Sequence, residues 1–129
     1  MNYENRKEEA MKRPVDLRKR TKEFALRIVR MFSALPRSTV AKVLGKQVLR
    51  SGTSAGANYR EAFRSRSRVE FISKIGDCLK ELEETGYWLE LLSESSVLPQ
   101  SKLASLQDEC DQLLAIFTTI SKKSKSALS

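Results

Sequence analysis

Two apolar runs in the second half of the chain constrain the fold most. Ile72, Ile75, Leu79, Leu82, Gly86 and Leu89 recur at offsets of 3, 4, 3, 4 and 3. Leu103, Leu106, Cys110, Leu113, Phe117 and Ile120 repeat the same rhythm. A strand would alternate with period two, so this spacing predicts α-helices. It lays a stripe of apolar side chains along one side of each helix, and such a stripe must be covered by another helix. The two runs flank a short linker at Pro99, which makes them antiparallel neighbours.

The first half of the chain extends the pattern. Over 15–35, Leu17, Phe24, Ile28, Phe32 and Leu35 share one stripe, and Pro36 stops the helix. A second helix is predicted over 38–64, capped by Ser38 or Thr39, with Val40, Leu44, Val48 and Ser51 on its seam. It contains the small-residue stretch SGTSAGA at 51–57. That stretch reads in isolation as a loop. The favoured alternative is a continuous or slightly bent helix whose backbone a neighbour approaches closely. Ser67 with Glu70 forms a capping box for the third helix, which extends to about Ser93. Ser101 is a candidate cap for the fourth. Four such helices predict an all-α, up-down antiparallel four-helix bundle occupying 1–129 as one domain. Residues 1–13 read as a mobile arm or an added turn, and 122–129 as a frayed tail.

Composition narrows the chemistry. The 129 residues include no histidine, which removes the commonest general base, a Ser-His-Asp triad and a His-based metal site. Without histidine the acidic group of Asp77, Glu81, Glu83 and Glu84 reads as a solvated or salt-bridging face, not a di-iron site. Cys78 and Cys110 sit among apolar residues and read as small core side chains. No phosphate loop or dinucleotide fingerprint is present. The expectations are therefore no enzyme, no cofactor, no metal and no catalytic residue. The N-terminal run lacks an apolar core and no segment approaches bilayer length, so a cytoplasmic location without membrane attachment is expected.

Charge is divided along the chain. Residues 1–68 carry 18 Lys and Arg against 6 acids, a balance of +12; residues 69–129 carry 6 against 10, a balance of −4. Arg13, Arg20 and Arg27 recur every seven residues, Lys42, Lys46 and Arg50 every four, and Arg60, Arg64, Arg66 and Arg68 cluster at the second corner. Cations aligned in this way can follow a phosphate backbone, so these ten are the candidate nucleic-acid-binding residues. They can equally pair with the carboxylates of the second half, within the chain or between copies. No aromatics are interleaved among them, which argues against stacking on single-stranded bases. Ser54, Asn58, Tyr59 and Glu61, with Tyr87 and Trp88, are candidates for an oligomer or partner interface; core packing is the plainer alternative for the aromatics.

Residues 50–92 carry a resemblance. Ser51, Ser54, Ala57, Asn58, Tyr59, Arg60, Glu61 and Ala62 form its first run, Ser67, Glu70, Phe71 and Ile72 its second, and Glu81, Glu84, Trp88, Leu89 and Leu92 its third. In these runs the chain resembles the four-helix bundle proteins related to the 23S ribosomal RNA intervening-sequence proteins. The resemblance implies a small all-α bacterial protein, often a ring-like homopentamer. It also implies a structural likeness to the accessory variability proteins of diversity-generating retroelements, basic pentameric bundles that bind nucleic acid and a protein partner. Gly86 departs from the bulkier residue this pattern leads one to expect. The leading expectation is a homo-oligomer, favoured as a pentamer, that binds RNA or DNA through a basic surface. The alternative is a scaffold for a partner protein.

Overall fold

The computed structural model describes residues 16–128. Four α-helices follow one another: α1 Leu17–Ser33, α2 Thr39–Phe63, α3 Arg68–Glu94 and α4 Gln100–Ser126. Residues 1–13, expected as an arm, lie outside the described residues.

Helix ends follow from local chemistry. Asp16 caps α1, accepting from the Arg18 N–H at 2.9 Å, and Ser38 caps α2, accepting from the Ala41 N–H at 3.1 Å. Ser67 accepts from the Glu70 N–H at 3.1 Å, while the Glu70 carboxylate accepts from the Arg66 N–H at 3.1 Å. Such caps contribute about 1 kcal/mol each by satisfying donors that a helix start leaves free. The expected Ser101 cap is corrected: Pro99 is the N-cap of α4 and provides no side-chain bond. α3 closes with Ser96 in the left-handed region (φ 62°). There the Ser96 N–H donates to the Ser93 carbonyl and the Val97 N–H to the Leu92 carbonyl, both at 3.1 Å, a pairing that satisfies last-turn carbonyls.

Side-chain contacts set the topology. Thr21 lies against Gly56 and Phe32 against Gly45, so α1 and α2 run antiparallel. Arg50 meets Glu84 and Glu61 meets Lys74, so α2 and α3 do too. Arg68 at the start of α3 donates to the Ala127 carbonyl just past α4 at 2.9 Å. α2 with α3, α3 with α4 and α1 with α2 form the main packed pairs, and α1 meets α4 far less. The result is an all-α up-down four-helix bundle, as the periodicity predicts.

The fourth-helix seam is buried as read, from Leu103 to Ile120. The third-helix seam is rolled. Ile75, Leu82 and Leu89 are buried, but Phe71, Cys78 and Thr85 take the places expected of Ile72, Leu79 and Gly86, and Leu92 extends the seam. Phe71 and Cys78 are apolar, and the one polar intruder is satisfied. Thr85 donates to Ser51 at 2.9 Å, and Ser51 donates back to the Gln47 carbonyl at 3.0 Å. On α2 the covered stripe runs through Ala41, Gly45 and Val48, leaving Val40 52% exposed instead of on the seam. On α1, Thr21 and Met31 join the core, while Phe32 and Leu35 pack at its edge beside Gly45. α4 also continues through residues 122–126, where fraying is expected from sequence, and Ser124 is buried there.

The SGTSAGA stretch is continuous helix, and its glycines explain why. A Cβ at Gly52 would stand 2.9 Å from Ile28 Cγ1, and one at Gly45 would stand 2.6 Å from Leu35 Cδ1. A Cβ at Gly56 would stand 3.2 Å from Thr21 Oγ1. The glycines give up helix propensity so that α1 can seat on α2. Gly76, by contrast, faces open space, and a Cβ at Gly86 would make an ordinary 3.8 Å contact with Cys110.

This contrast fixes two opposite outcomes. Gly76→Ala should raise the urea midpoint, by about 1 kcal/mol in stability, since alanine is the better helix former and meets nothing. Gly52→Ala should lower it, because overpacking against buried Ile28 costs about 1–3 kcal/mol and outweighs the propensity gain. Equal shifts of one sign in both variants would contradict the close α1–α2 approach.

Cys78 and Cys110 are both free and buried. Burial, reinforced by Asp77 and Asp111 respectively, pushes each thiol up to about 12 from an ordinary 9.0. A raised folded value means that this contribution is complete below the unfolded value and fades as pH rises from about 9 towards 12. Two outcomes follow. The native protein should resist thiol reagents at neutral pH. Raising the pH above about 9 should cost the wild type more stability than a Cys78→Ala/Cys110→Ala variant.

Candidate nucleic-acid interface

Seating α1 on the glycines of α2 leaves a groove of about 320 Å³ between the two helices. Thr21, Ala25 and Gly56 contribute to its lining, together with Arg18, Lys22 and Arg60. Its lining includes no carboxylate. Thr21 donates its hydroxyl to the Leu17 carbonyl at 2.7 Å and Thr53 to the Leu49 carbonyl at 2.7 Å, so both are spent within their own helices. The strong donors available to a ligand are therefore the three cations. Arg18 is held in place by the Phe63 ring, with its guanidinium carbon 4.7 Å from the ring centroid. Such a groove suits an anion, and charge-assisted contacts to phosphate are among the strongest hydrogen bonds available at a surface.

Nine of the ten cations singled out in the sequence divide into two groups. Some are occupied. Arg20 forks onto Glu109, with Nε to Oε2 at 2.8 Å and Nη2 to Oε1 at 2.7 Å, and adds Gln112 at 2.8 Å. That hydrogen bond raises the Arg20 pKa further. Arg27 donates to Ser105 at 2.6 Å. These two ties bridge α1 and α4, where direct packing is thin. Arg50 contacts Glu81 at 3.2 Å and Glu84 at 2.9 Å. Arg68 is half-buried, gives Nη1 to the Ala127 carbonyl, and leaves its buried Nε without a partner. Arg13 lies outside the described residues.

The others are open. Lys42, Lys46, Arg60, Arg64 and Arg66 are exposed, and none of them forms an ion pair among the described residues. Helical spacing puts Lys42, Lys46, Arg60 and Arg64 on the side of α2 that borders α1. The structure adds Arg18 and Lys22, which sequence reading missed. Their i, i+4 spacing was visible, but only the α1–α2 contact brings them to Arg60.

The interface candidates also separate. Tyr59 is corrected to a core residue: it is 1% exposed and packs edge-on against Phe117 at 5.4 Å. Glu61 is exposed and pairs with Lys74 at 3.1 Å, raising the lysine pKa through that hydrogen bond. Ser54 is half-buried and donates to the Arg50 carbonyl at 2.6 Å; Asn58, one helical turn further on, is half-buried too. Trp88 packs against the core with its buried Nε1 unpaired. Tyr87 is 54% exposed and stacks edge-on against Trp88 at 5.1 Å.

Tyr87 opens onto a second groove, of about 470 Å³, between α3 and α4. Its lining includes Glu83, Glu90, Asp111 and Leu114, with no cation. The bundle thus has a basic α1–α2 groove and an acidic α3–α4 groove. Gly86 lines the acidic one. Among the described residues, no helix is long and apolar enough to cross a membrane.

Comparison with known proteins agrees with this architecture. A protein with unknown function from the S23 ribosomal protein family, from Bacteroides thetaiotaomicron VPI-5482, has a similar crystal structure at 1.70 Å. Its TM-score is 0.77 at 39% identity, covering 81% of this chain and 97% of that one. No curated protein matches the chain significantly. The model of the 23S rRNA-intervening sequence protein family matches residues 13–119, which span all of α1, α2 and α3 and most of α4. The chain belongs to the 23S rRNA-intervening sequence protein family.

Proposed function

We propose that the chain is a non-enzymatic bundle that assembles with copies of itself, as a pentamer, and binds RNA or DNA through its α1–α2 face. One observation carries the reading. Arg18, Lys22 and Arg60 converge on a groove without carboxylates, and Lys42, Lys46 and Arg64 continue the same face. Cations already paired inside the protein have little to gain from a phosphate; among the described residues these six form no ion pair. The non-enzymatic part is supported by the titratable groups themselves. The sequence has no histidine, and both thiols are buried and protonated at neutral pH.

A second reading has its own observation. Arg50, 47% exposed, already sits on two glutamates, and the acidic α3–α4 groove beside Tyr87 would accept a basic partner. In that reading the bundle is a scaffold for another protein. Charge reversal of Glu83, Glu90 and Asp111 should then abolish partner capture and leave nucleic-acid retention unchanged.

Filter binding of a short structured RNA and its DNA counterpart at ~50 and ~200 mM salt separates the two. About six phosphate contacts should cost about a thousandfold in affinity over that range. Lys22→Glu/Arg60→Glu should weaken binding at the lower salt at least tenfold, with the native mass by light scattering unchanged. Undetectable binding at ~50 mM would sink the nucleic-acid reading, and a monomer by light scattering would sink the assembly.

A further inference from the structure

The placement of cations on the α1–α2 face distinguishes between forms of nucleic acid. Lys42 and Lys46 stand near the start of α2, and Arg60 and Arg64 stand at its end. Each member of the second pair follows its counterpart by 18 residues, which is five turns of 3.6 residues, so the pairs line up along the helix axis. At 1.5 Å per residue they are about 27 Å apart. Arg18 and Lys22 reinforce the Arg60 end across the groove. Between the pairs the same side of α2 carries the uncharged Leu49, Thr53 and Ala57, and Arg50 beside them is held by Glu81 and Glu84.

We propose that this face engages the backbone of a double helix at two points about 27 Å apart, and that it reads no base. The proposal rests on the nucleic-acid reading above and specifies its ligand. With one charge pair every ~3.4 Å, a duplex spans that distance in about eight base pairs. Its persistence length of ~50 nm presents phosphates to both ends at a fixed spacing, with no ordering cost. A single strand must be straightened to do the same, and proteins that bind single strands compensate by stacking bases on aromatic side chains.

No such platform lies on this face. Among the described residues Tyr87 is the one exposed aromatic, and it borders the acidic groove. The Phe63 ring is covered by Arg18. The face is also broad: two packed helices, each about 10 Å across, are together wider than a major groove of about 12 Å, so the groove between them meets the backbone.

Fluorescence anisotropy on the full chain at ~50 mM salt tests this. The probes are hairpin-closed 16-base-pair DNA duplexes of two unrelated sequences, a 16-base-pair RNA duplex, a 6-base-pair DNA hairpin and a 16-nucleotide thymidine strand. The two DNA sequences should bind within threefold of each other. At least one duplex type should bind tenfold or more tightly than the strand. Lys42→Ala/Lys46→Ala should weaken the 16-base-pair duplex at least tenfold and lower its salt slope by about two. The same variant should barely change the 6-base-pair hairpin, which reaches one end only. A strand bound as tightly as the duplex overturns the duplex proposal but leaves the nucleic-acid reading standing. So does an equal loss on long and short duplexes. Failure of every probe to bind overturns both.

Discussion

The close approach of α1 to α2 is the contact on which the functional face depends. α1 packs little against α4, where Arg20 on Glu109 and Arg27 on Ser105 do the tying. Its position is set mainly by the side chains of Thr21, Ile28 and Phe32 lying where α2 has no Cβ. Glycine costs a helix interior about 1 kcal/mol against alanine, so the spine at 45, 52 and 56 is a local penalty offset by packing. The same shallow contact leaves the groove in which Arg18 and Lys22 come to stand beside Arg60.

Charge follows the same division. Paired cations sit where helices meet: Arg20 at α1–α4, Arg50 and Lys74 at α2–α3. The exposed Arg50 and Lys74 pairs contribute little to stability, whereas the forked Arg20–Glu109 pair is mostly covered. The pairs also act electrostatically: Arg20 and Arg50 hold carboxylates of α4 and α3, while the outer α1–α2 cations form no ion pair among the described residues. The unpaired cations of the α1–α2 side therefore stand apart from Glu83, Glu90 and Asp111, which surround the groove on the other. A field divided in this way steers an anionic ligand to one face, an effect that salt weakens.

Much of the bundle was legible in the sequence, and the errors share one cause. The α4 seam read correctly because that helix is apolar on one narrow side. The α3 seam was rolled because α3 packs on both α2 and α4, so its apolar arc is wider than a stripe and several registers fit the pattern. The choice fell to Thr85, whose hydroxyl finds Ser51 across the helix pair. Tyr59 stands among polar neighbours, which makes it an interface candidate in the sequence, yet its ring reaches Phe117 on a helix 58 residues further along.

The candidate site divides along the same line. The sequence alone determined that the chain is a basic four-helix bundle without histidine chemistry, because periodicity, caps and composition are local properties. Tertiary structure alone decided which cations are free. Arg20 and Lys22 are two residues apart and chemically alike, but one faces Glu109 and the other the open groove. Whether a charge is available depends on what lies across from it, and the opposing residues here come from helices distant in sequence.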